Sequence, residues 1–410
     1  MIGRRDWLKA AALGALGAAC RSSRDGVPPA ATGSAGSARA DRGSADDDRA
    51  LAPFDQLVTS FIAEQRIPGA SLAVARRGRL VYARGFGVAD REAGTPVVPA
   101  SRFRIASITK PVTSAAVMQL VDAGRLALDA RVLDVLAPLD APADARWRDI
   151  TIAHLLRHRA GFDRAMTADS FDPMFHPDRV AAALGLAAGA PVGHRELVRY
   201  MLAQPLAYAP GTRFVYANFD YCLLGRVIER VTGGTYDADV RARVLEPLGI
   251  GDMQLGRSLL ADRAAGEVRY YGAAPAYGAW PLELMDSHGG WIATASDLLR
   301  FARALDGTAL LRASSLAATF ARPDGDPGDV WYGLGWQVRD VGDHQINTWH
   351  TGSLDGSSTL LVRRWDGLAW AILFDTRDTP SGDEPASLID PLLHRAADAV
   401  ARWPDRDLFT

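Results

Sequence analysis

Lysine is almost missing from this chain of 410 residues, which has only Lys9 and Lys110. Lysine and arginine together number 46, so arginine carries nearly all of the positive charge. Because arginine stays protonated whereas a buried lysine can lose its proton, a lysine kept in such a chain indicates a base. Lys110 ends the segment Ser107-Ile108-Thr109-Lys110. The serine hydroxyl is the obvious proton for that base to take.

Cysteine is also scarce, and the net charge of the chain is close to zero. Cys20 and Cys222 are the only cysteines, which excludes a disulfide framework. The apolar helical setting of Cys222 predicts a core residue rather than a nucleophile. The formal net charge of -2 gives no basic field, so we expect no nucleic-acid partner. A small molecule or cell-wall peptide is the substrate class that remains.

Residues 1–20 have the features of an export signal. Arg4 and Arg5 precede an apolar stretch at 10–19 that is too short to span a bilayer. The pair resembles a twin-arginine signal, with Trp7 where phenylalanine is usual. A lipoprotein-like cleavage box ends at Cys20, but its leucine lies one position early, so lipidation of Cys20 and ordinary cleavage nearby both stay open. The sequence predicts an exported protein, periplasmic or anchored to the membrane at the cell envelope.

Residues 21–51 have almost nothing apolar to bury and are rich in Ser, Gly, Ala, Asp and Arg. This composition predicts a disordered linker. The folded domain is predicted over residues 52–405, where the 48% of hydrophobic residues can fill a core.

Strand signals lie at both ends of this domain. Apolar runs at 70–75 and 80–88 flank Arg76-Arg77-Gly78-Arg79, and runs at 358–364 and 368–374 flank Trp365-Asp366-Gly367. Each pair predicts a hairpin. Residues 335–339 and 346–349 add two short strands.

Helical spacing dominates the middle of the chain. The predicted helices are at 152–157, 196–202, 221–231 and 295–305, with a terminal helix at 386–401 that would cover the sheet. The pattern predicts an α/β (α+β) fold. Its sheet subdomain would come from about 52–106 and 290–405, and its helical subdomain from about 107–289.

The segment after Ser107 has the sequence features of a helix N-terminus. Pro111 falls in the first turn, apolar residues follow with helical spacing, and Gly124 stops the run. Ser107 would then lie at the helix N-terminus with Lys110 one turn away on the same face, where backbone N–H groups favour negative charge. A serine that merely caps the helix is the alternative.

Two further segments favour catalysis. Tyr216-Ala217-Asn218 precedes a helix, and His350-Thr351-Gly352 closes a predicted strand. In this order the three motifs resemble those of the serine beta-lactamase and penicillin-binding protein superfamily, in its class C-like branch with DD-peptidases and family VIII esterases. The resemblance covers roughly residues 52–400 and implies an antiparallel sheet flanked by helices, with a mostly helical insertion.

The resemblance implies a role for each motif. Ser107 would form an acyl-enzyme, and Lys110 and Tyr216 would share the proton, with the choice of base open because coupled groups titrate together. Asn218 would hold the acyl side chain of the substrate and orient Lys110. Backbone N–H groups of Ser107 and Ser353 would form the oxyanion hole. No cofactor or metal is implied.

The third motif departs from the best-known lactamases, which have lysine at position 350. We expect His350 to carry only partial positive charge near neutral pH, which favours ester or peptide substrates over a lactam carboxylate. Thr351 and Gly352 are also predicted to bind the substrate. The missing side chain of Gly352 would let an edge strand approach the bound carbonyl. Asp220 replaces a glycine common in relatives, for a reason that the sequence does not give.

Other histidines are expected in supporting places. His154 and His158 are predicted to pack or cap a helix near the site, because Leu155 stands where a zinc protease has its glutamate. His288 is predicted to border the pocket. The sequence leaves two hypotheses for the function. The first is an exported serine hydrolase, for which esterase or DD-peptidase-like activity ranks ahead of beta-lactamase activity. The second is a non-catalytic member of the fold that binds cell-wall peptides or partner proteins.

Overall fold

A computed structural model of the protein describes residues 49–163, 172–187, 189–326 and 328–409. The predicted export signal, Cys20 and the linker up to residue 48 therefore lie outside the described residues. No helix within the described ranges combines the length and apolar character needed to cross a bilayer.

An eight-stranded antiparallel sheet forms the centre of the fold, in the order β3-β2-β1-β11-β10-β9-β8-β7. Its strands are β1 (Gly69–Arg76), β2 (Arg79–Asp90), β3 (Thr95–Pro96), β7 (Val330–Tyr332), β8 (Gln337–Gly342), β9 (Gln345–Leu354), β10 (Ser357–Arg363) and β11 (Leu368–Phe374). The β1–β2 and β10–β11 pairings confirm both predicted hairpins. β1 and β11, from opposite ends of the domain, pair directly.

The helices lie on both faces of this sheet and fill the middle of the chain. They are α1 (Ala52–Glu64), α2 (Thr109–Asp122), α3 (Val132–Leu136), α4 (Ile152–Leu156), α5 (Pro177–Ala183), α6 (His194–Leu202), α7 (Asn218–Thr232), α8 (Tyr236–Val240), α9 (Ala295–Arg303), α10 (Ala313–Phe320) and α11 (Pro385–Asp398). The mixed α/β class predicted from the sequence is confirmed.

Side-chain alternation divides the sheet into two cores. Leu72, Leu360 and Trp370 point to one face, where they pack with residues of α1 and α11. Leu361 and Leu373 point to the other face, into the larger core that includes α2, α7 and α9. Because period-two alternation sends successive side chains to opposite faces, neighbours in one strand serve different cores.

A second, three-stranded sheet lies within the middle of the chain, in the order β4-β6-β5. Its strands are β4 (Phe103–Arg104), β5 (Gln254–Leu255) and β6 (Trp291–Ala293). The sequence did not predict it, because strands of two or three residues are too short to show a period. β4 leads directly to the turn that holds Ser107.

Ser107 lies in a 3₁₀ turn, Ala106–Ile108, which continues into α2. Ala106 has a φ of 46°, a left-handed conformation that is costly for a residue with a Cβ. Pro111 falls in the first turn of α2, and Gly124, with a φ of 66°, follows its end. The predicted helix start and stop are therefore both confirmed.

Candidate active site

Lys110 lies at the centre of the site and is fully buried. Its Nζ donates to Asn218 Oδ1 at 2.8 Å and to the His288 carbonyl oxygen at 2.9 Å, and lies 2.9 Å from Ser107 Oγ. The amide and carbonyl oxygens can only accept, so they take two N–H bonds. A neutral amine in this place therefore turns its lone pair to the Ser107 hydroxyl.

Asn218 begins α7 and is held from both ends of its amide. Its Nδ2 donates to Asp172 Oδ2 at 2.8 Å, which fixes Oδ1 toward Lys110. The sequence did not single out Asp172, since it lies 46 residues from Asn218 and belongs to no motif.

Tyr216 lies beside this lysine. Lys110 Nζ is 4.8 Å from the centroid of the Tyr216 ring. The rings of His158 and His350 are also close, with centroids 4.3 and 6.5 Å from that of Tyr216. The structure thus brings together the tyrosine, the lysine and the histidine of the three predicted motifs.

His350 faces the same core as Leu361, its partner on β10. Its Nδ1–H donates to the Thr351 carbonyl at 2.7 Å, so Nε2 is the acceptor from the Tyr332 hydroxyl at 2.9 Å. Burial, and then the charge of Lys110, lowers the pKa of His350 to about 3. The expected partial positive charge is therefore wrong, because this imidazole is neutral at pH 7.

Gly352 packs directly against the segment that leads to Ser107. A Cβ at position 352 would collide with the Ile105 carbonyl oxygen and with Thr359 Oγ1. β9 pairs with β8 through residues 345–349 and with β10 through residues 348–354, so in the described sheet only one edge of β9 is paired at Gly352, in agreement with the expected edge strand. The glycine thus allows β9 to approach the nucleophile segment itself.

Thr351 and Ser353 project from the opposite face of β9. Thr351 lies across from Leu360, a residue of the core covered by α11. Ser353 Oγ donates to Glu384 Oε1 at 2.6 Å, and burial raises the pKa of Glu384. Their side chains are thus turned away from His350, while the Ser353 N–H remains the predicted oxyanion donor.

His154, His158 and His288 are the further histidines that the sequence analysis considers. His154 completes a capping box with Thr151, as predicted for a capping residue. His158 Nδ1 lies 2.8 Å from Asp220 Oδ2, and both side chains are buried. His288 is buried, and burial holds its pKa well below the usual range.

Cys222 is buried, and burial raises the pKa of its thiol to about 12, in agreement with a core role. In the parts of the chain that the structure describes, no three His, Cys, Asp or Glu side chains converge as a metal site would require.

Ser107 beside Lys110 at the start of a helix, with Tyr216 and His350 close by, is the arrangement that the three sequence motifs predict. The beta-lactamase family model matches residues 54–393, and the chain belongs to this family. The predicted recognition is therefore confirmed.

The chain is similar in sequence to an esterase and to a penicillin-binding protein. Esterase EstB of Burkholderia gladioli is 37% identical over 214 residues, which is 51% of this chain and 52% of the esterase. The match thus spans about half of that esterase. Penicillin-binding protein 4 of Amycolatopsis lactamdurans is 35% identical over 343 residues, 78% of this chain and 83% of that protein. These relatives support hydrolase activity.

Solved structures agree on the fold. The D-amino acid amidase from Ochrobactrum anthropi SV3 superimposes with a TM-score of 0.69 at 21% identity, covering 87% of this chain and 99% of the amidase. The octameric penicillin-binding protein homologue from Pyrococcus abyssi gives 0.68 at 23% identity, covering 87% of this chain and 79% of that chain.

Proposed function

We propose that this protein is a serine hydrolase that forms an acyl-enzyme at Ser107 on an ester or amide substrate. The observation that carries the proposal is the 2.9 Å contact of Lys110 Nζ with Ser107 Oγ, while two fixed acceptors hold the other N–H groups of the amine. A capping serine needs no such partner. The similarity to an esterase and to a penicillin-binding protein supports this proposal.

In the first half-reaction, neutral Lys110 takes the Ser107 hydroxyl proton as Oγ bonds to the carbonyl carbon. The N–H groups of Ser107 and Ser353 stabilise the oxyanion. The bond to the leaving group then breaks, and this group receives the proton from Lys110 through Tyr216. Water repeats the sequence on the Ser107 ester, which releases the acid and restores the hydroxyl.

The neutral His350 bears on substrate class. A lysine at that position offers a cation to a substrate carboxylate, whereas a buried neutral imidazole bonded to Tyr332 offers none. We therefore place esters and D-amino-acid amides or peptides ahead of beta-lactams. The non-catalytic binder of cell-wall peptides or partner proteins is the alternative.

Intact-mass spectrometry tests the proposal with a fluorophosphonate, a penicillin and a short-chain ester. The expected result is a covalent fluorophosphonate adduct that disappears in Ser107→Ala and remains in the control Ser314→Ala, an exposed serine of α10. Absence of any adduct together with absence of ester, amide or lactam turnover would overturn the hydrolase and favour the binder.

Lys110→Arg extends the same assay to the base. Arginine keeps the charge but not the labile proton, so we expect turnover to fall by about 10²- to 10⁴-fold. A folded Lys110→Arg protein with near-normal turnover would mean that Tyr216 alone handles the proton. Thermal unfolding of the variant checks that the larger guanidinium is accommodated.

We also propose export to the cell envelope, on the basis of the twin-arginine-like residues 1–20. Cell fractionation with mass analysis of the mature N-terminus tests it. A lipid-modified Cys20 indicates membrane anchoring, and cleavage nearby without lipid indicates release. An uncut chain in the cytoplasm contradicts the proposal.

A further inference from the structure

A buried carboxyl and imidazole form a pair behind the motif residues. Asp220 Oδ2 and His158 Nδ1 are 2.8 Å apart, and the side chains are 1% and 0% exposed. The proposed acyl transfer uses neither group. A buried acid is costly unless it has a defined partner, so the pair requires an explanation.

His158 contacts the chain on both sides of Tyr216. Its carbonyl oxygen accepts from the Val215 N–H at 2.9 Å, and its Nδ1 accepts from the Ala217 N–H at 3.3 Å. Its ring lies 4.3 Å from the Tyr216 ring, centroid to centroid. One residue thus holds the backbone before and after the tyrosine, as well as the tyrosine ring.

His158 keeps this place at a conformational cost. Its φ is 53°, in the left-handed region that side chains with a Cβ seldom adopt. Such a conformation persists only where surrounding contacts determine it. The contacts of His158 with Asp220 and with the Tyr216 segment are those determinants.

Asp220 places the pair on the same helix turn as the site. It lies in the first turn of α7, two residues after Asn218, which binds Lys110. Burial raises the pKa of Asp220, which favours a neutral carboxyl that donates its proton to Nδ1. The same nitrogen faces the Ala217 N–H, in agreement with an unprotonated Nδ1.

We propose that Asp220 and His158 are positioning residues that hold Tyr216 against Lys110, the carboxyl by fixing the imidazole and the imidazole by holding the tyrosine segment. The inference rests on the proposed hydrolase function.

Steady-state hydrolysis of a p-nitrophenyl butyrate ester tests the proposal in the full-length protein. Asp220→Gly should lower kcat by about 10- to 100-fold, because a misplaced catalytic group has effects of that size, and should change KM less than twofold. Asp220→Asn keeps a donor for Nδ1 and should restore kcat to within about fivefold of the wild type. A general loss of stability would not separate the two substitutions in this way.

Asp297→Ala is the matched control. Asp297 is also a buried acid, but it caps α9 by accepting from the Thr294 N–H. It should lower the thermal midpoint and leave kcat per folded molecule unchanged.

Equal loss of kcat in Asp220→Gly and Asp220→Asn, no loss in either, or a loss confined to KM would overturn the positioning role. Failure of the wild type to turn over any ester or to take up the fluorophosphonate would instead contradict the proposed function. His158→Gln gives a second variant if the glycine substitution does not fold, and its expected effect on kcat is at least tenfold.

Discussion

At the scale of single residues, the site consists of buried polar groups that each have defined hydrogen-bond partners. Lys110 is fully buried, and its Nζ donates hydrogen bonds to an amide oxygen and to a backbone carbonyl oxygen. His350 is likewise buried, with both ring nitrogens bonded. A buried neutral imidazole beside the proposed nucleophile disfavours capture of an anionic substrate group.

The depressed pKa of His350 predicts a pH dependence of stability. The unfolded chain binds a proton at this histidine below about pH 6.5, whereas the folded protein, with a pKa of about 3, does not. The contribution of His350 to the free energy of unfolding is therefore complete above about pH 6.5 and is lost as the pH falls toward 3.

Urea unfolding of the wild type and His350→Gln between pH 7 and pH 4 measures this contribution. The wild-type free energy of unfolding should fall relative to the variant by up to about 1.4 kcal/mol per pH unit below pH 6. Curves that stay parallel over this range would show that His350 binds its proton at the same pH in the folded protein as in the unfolded chain, which contradicts a lowered pKa.

The residue contacts also show what the sequence could predict. The sequence predicts Lys110 as a site residue because it is a rare lysine three positions after a serine. Its acceptor at the His288 carbonyl was not found, because a backbone oxygen has no sequence signal. Asp172 was missed for the related reason that its contact with Asn218 is made only by folding.

At the scale of elements, β9 connects the site to the sheet. Its pleat turns His350 and Gly352 toward the larger core and turns Ser353 toward Glu384. The bond from Ser353 to Glu384 holds the strand from behind, while Gly352 lets it lie against Ile105. The strand position is therefore set from both faces.

Gly352→Ala tests this close approach. The added Cβ meets the backbone at Ile105, so β9 or the Ser107 turn must shift. We expect a loss of about 1–3 kcal/mol in the free energy of unfolding and a fall in kcat of about tenfold or more.

Gly85→Ala is its control, since Gly85 lies in β2, on the other side of the sheet from β9, and a Cβ there would collide with the Val97 carbonyl oxygen. It should lose similar stability and keep its kcat per folded molecule. Equal kcat losses in both variants would show that the effect of Gly352→Ala is general to the fold.

Helix and strand limits were predictable where periodicity is regular. The two hairpins follow from alternation around turn residues. α7 begins at Asn218, three residues before the predicted start at residue 221. The sequence predicts the later start because Asp220, which is buried, interrupts the apolar pattern of the first turn. The interruption coincides with the pair that we assign to positioning.

At the scale of the whole molecule, the two ends of the domain complete one sheet. β1 pairs with β11, and α1 packs near α11 on the same face. The sequence predicts this arrangement from strand signals at both ends and helices between. The site takes its residues from three separate stretches, so it exists only when both ends have joined.

The scarcity and burial of lysine have a practical consequence for protein chemistry. An amine-reactive reagent has two lysine side chains to modify in the chain, and one of them, Lys110, has no exposed surface. Modification of Lys110 requires α2 to leave the core. The rate of that single modification therefore reports how often this helix opens in the native protein.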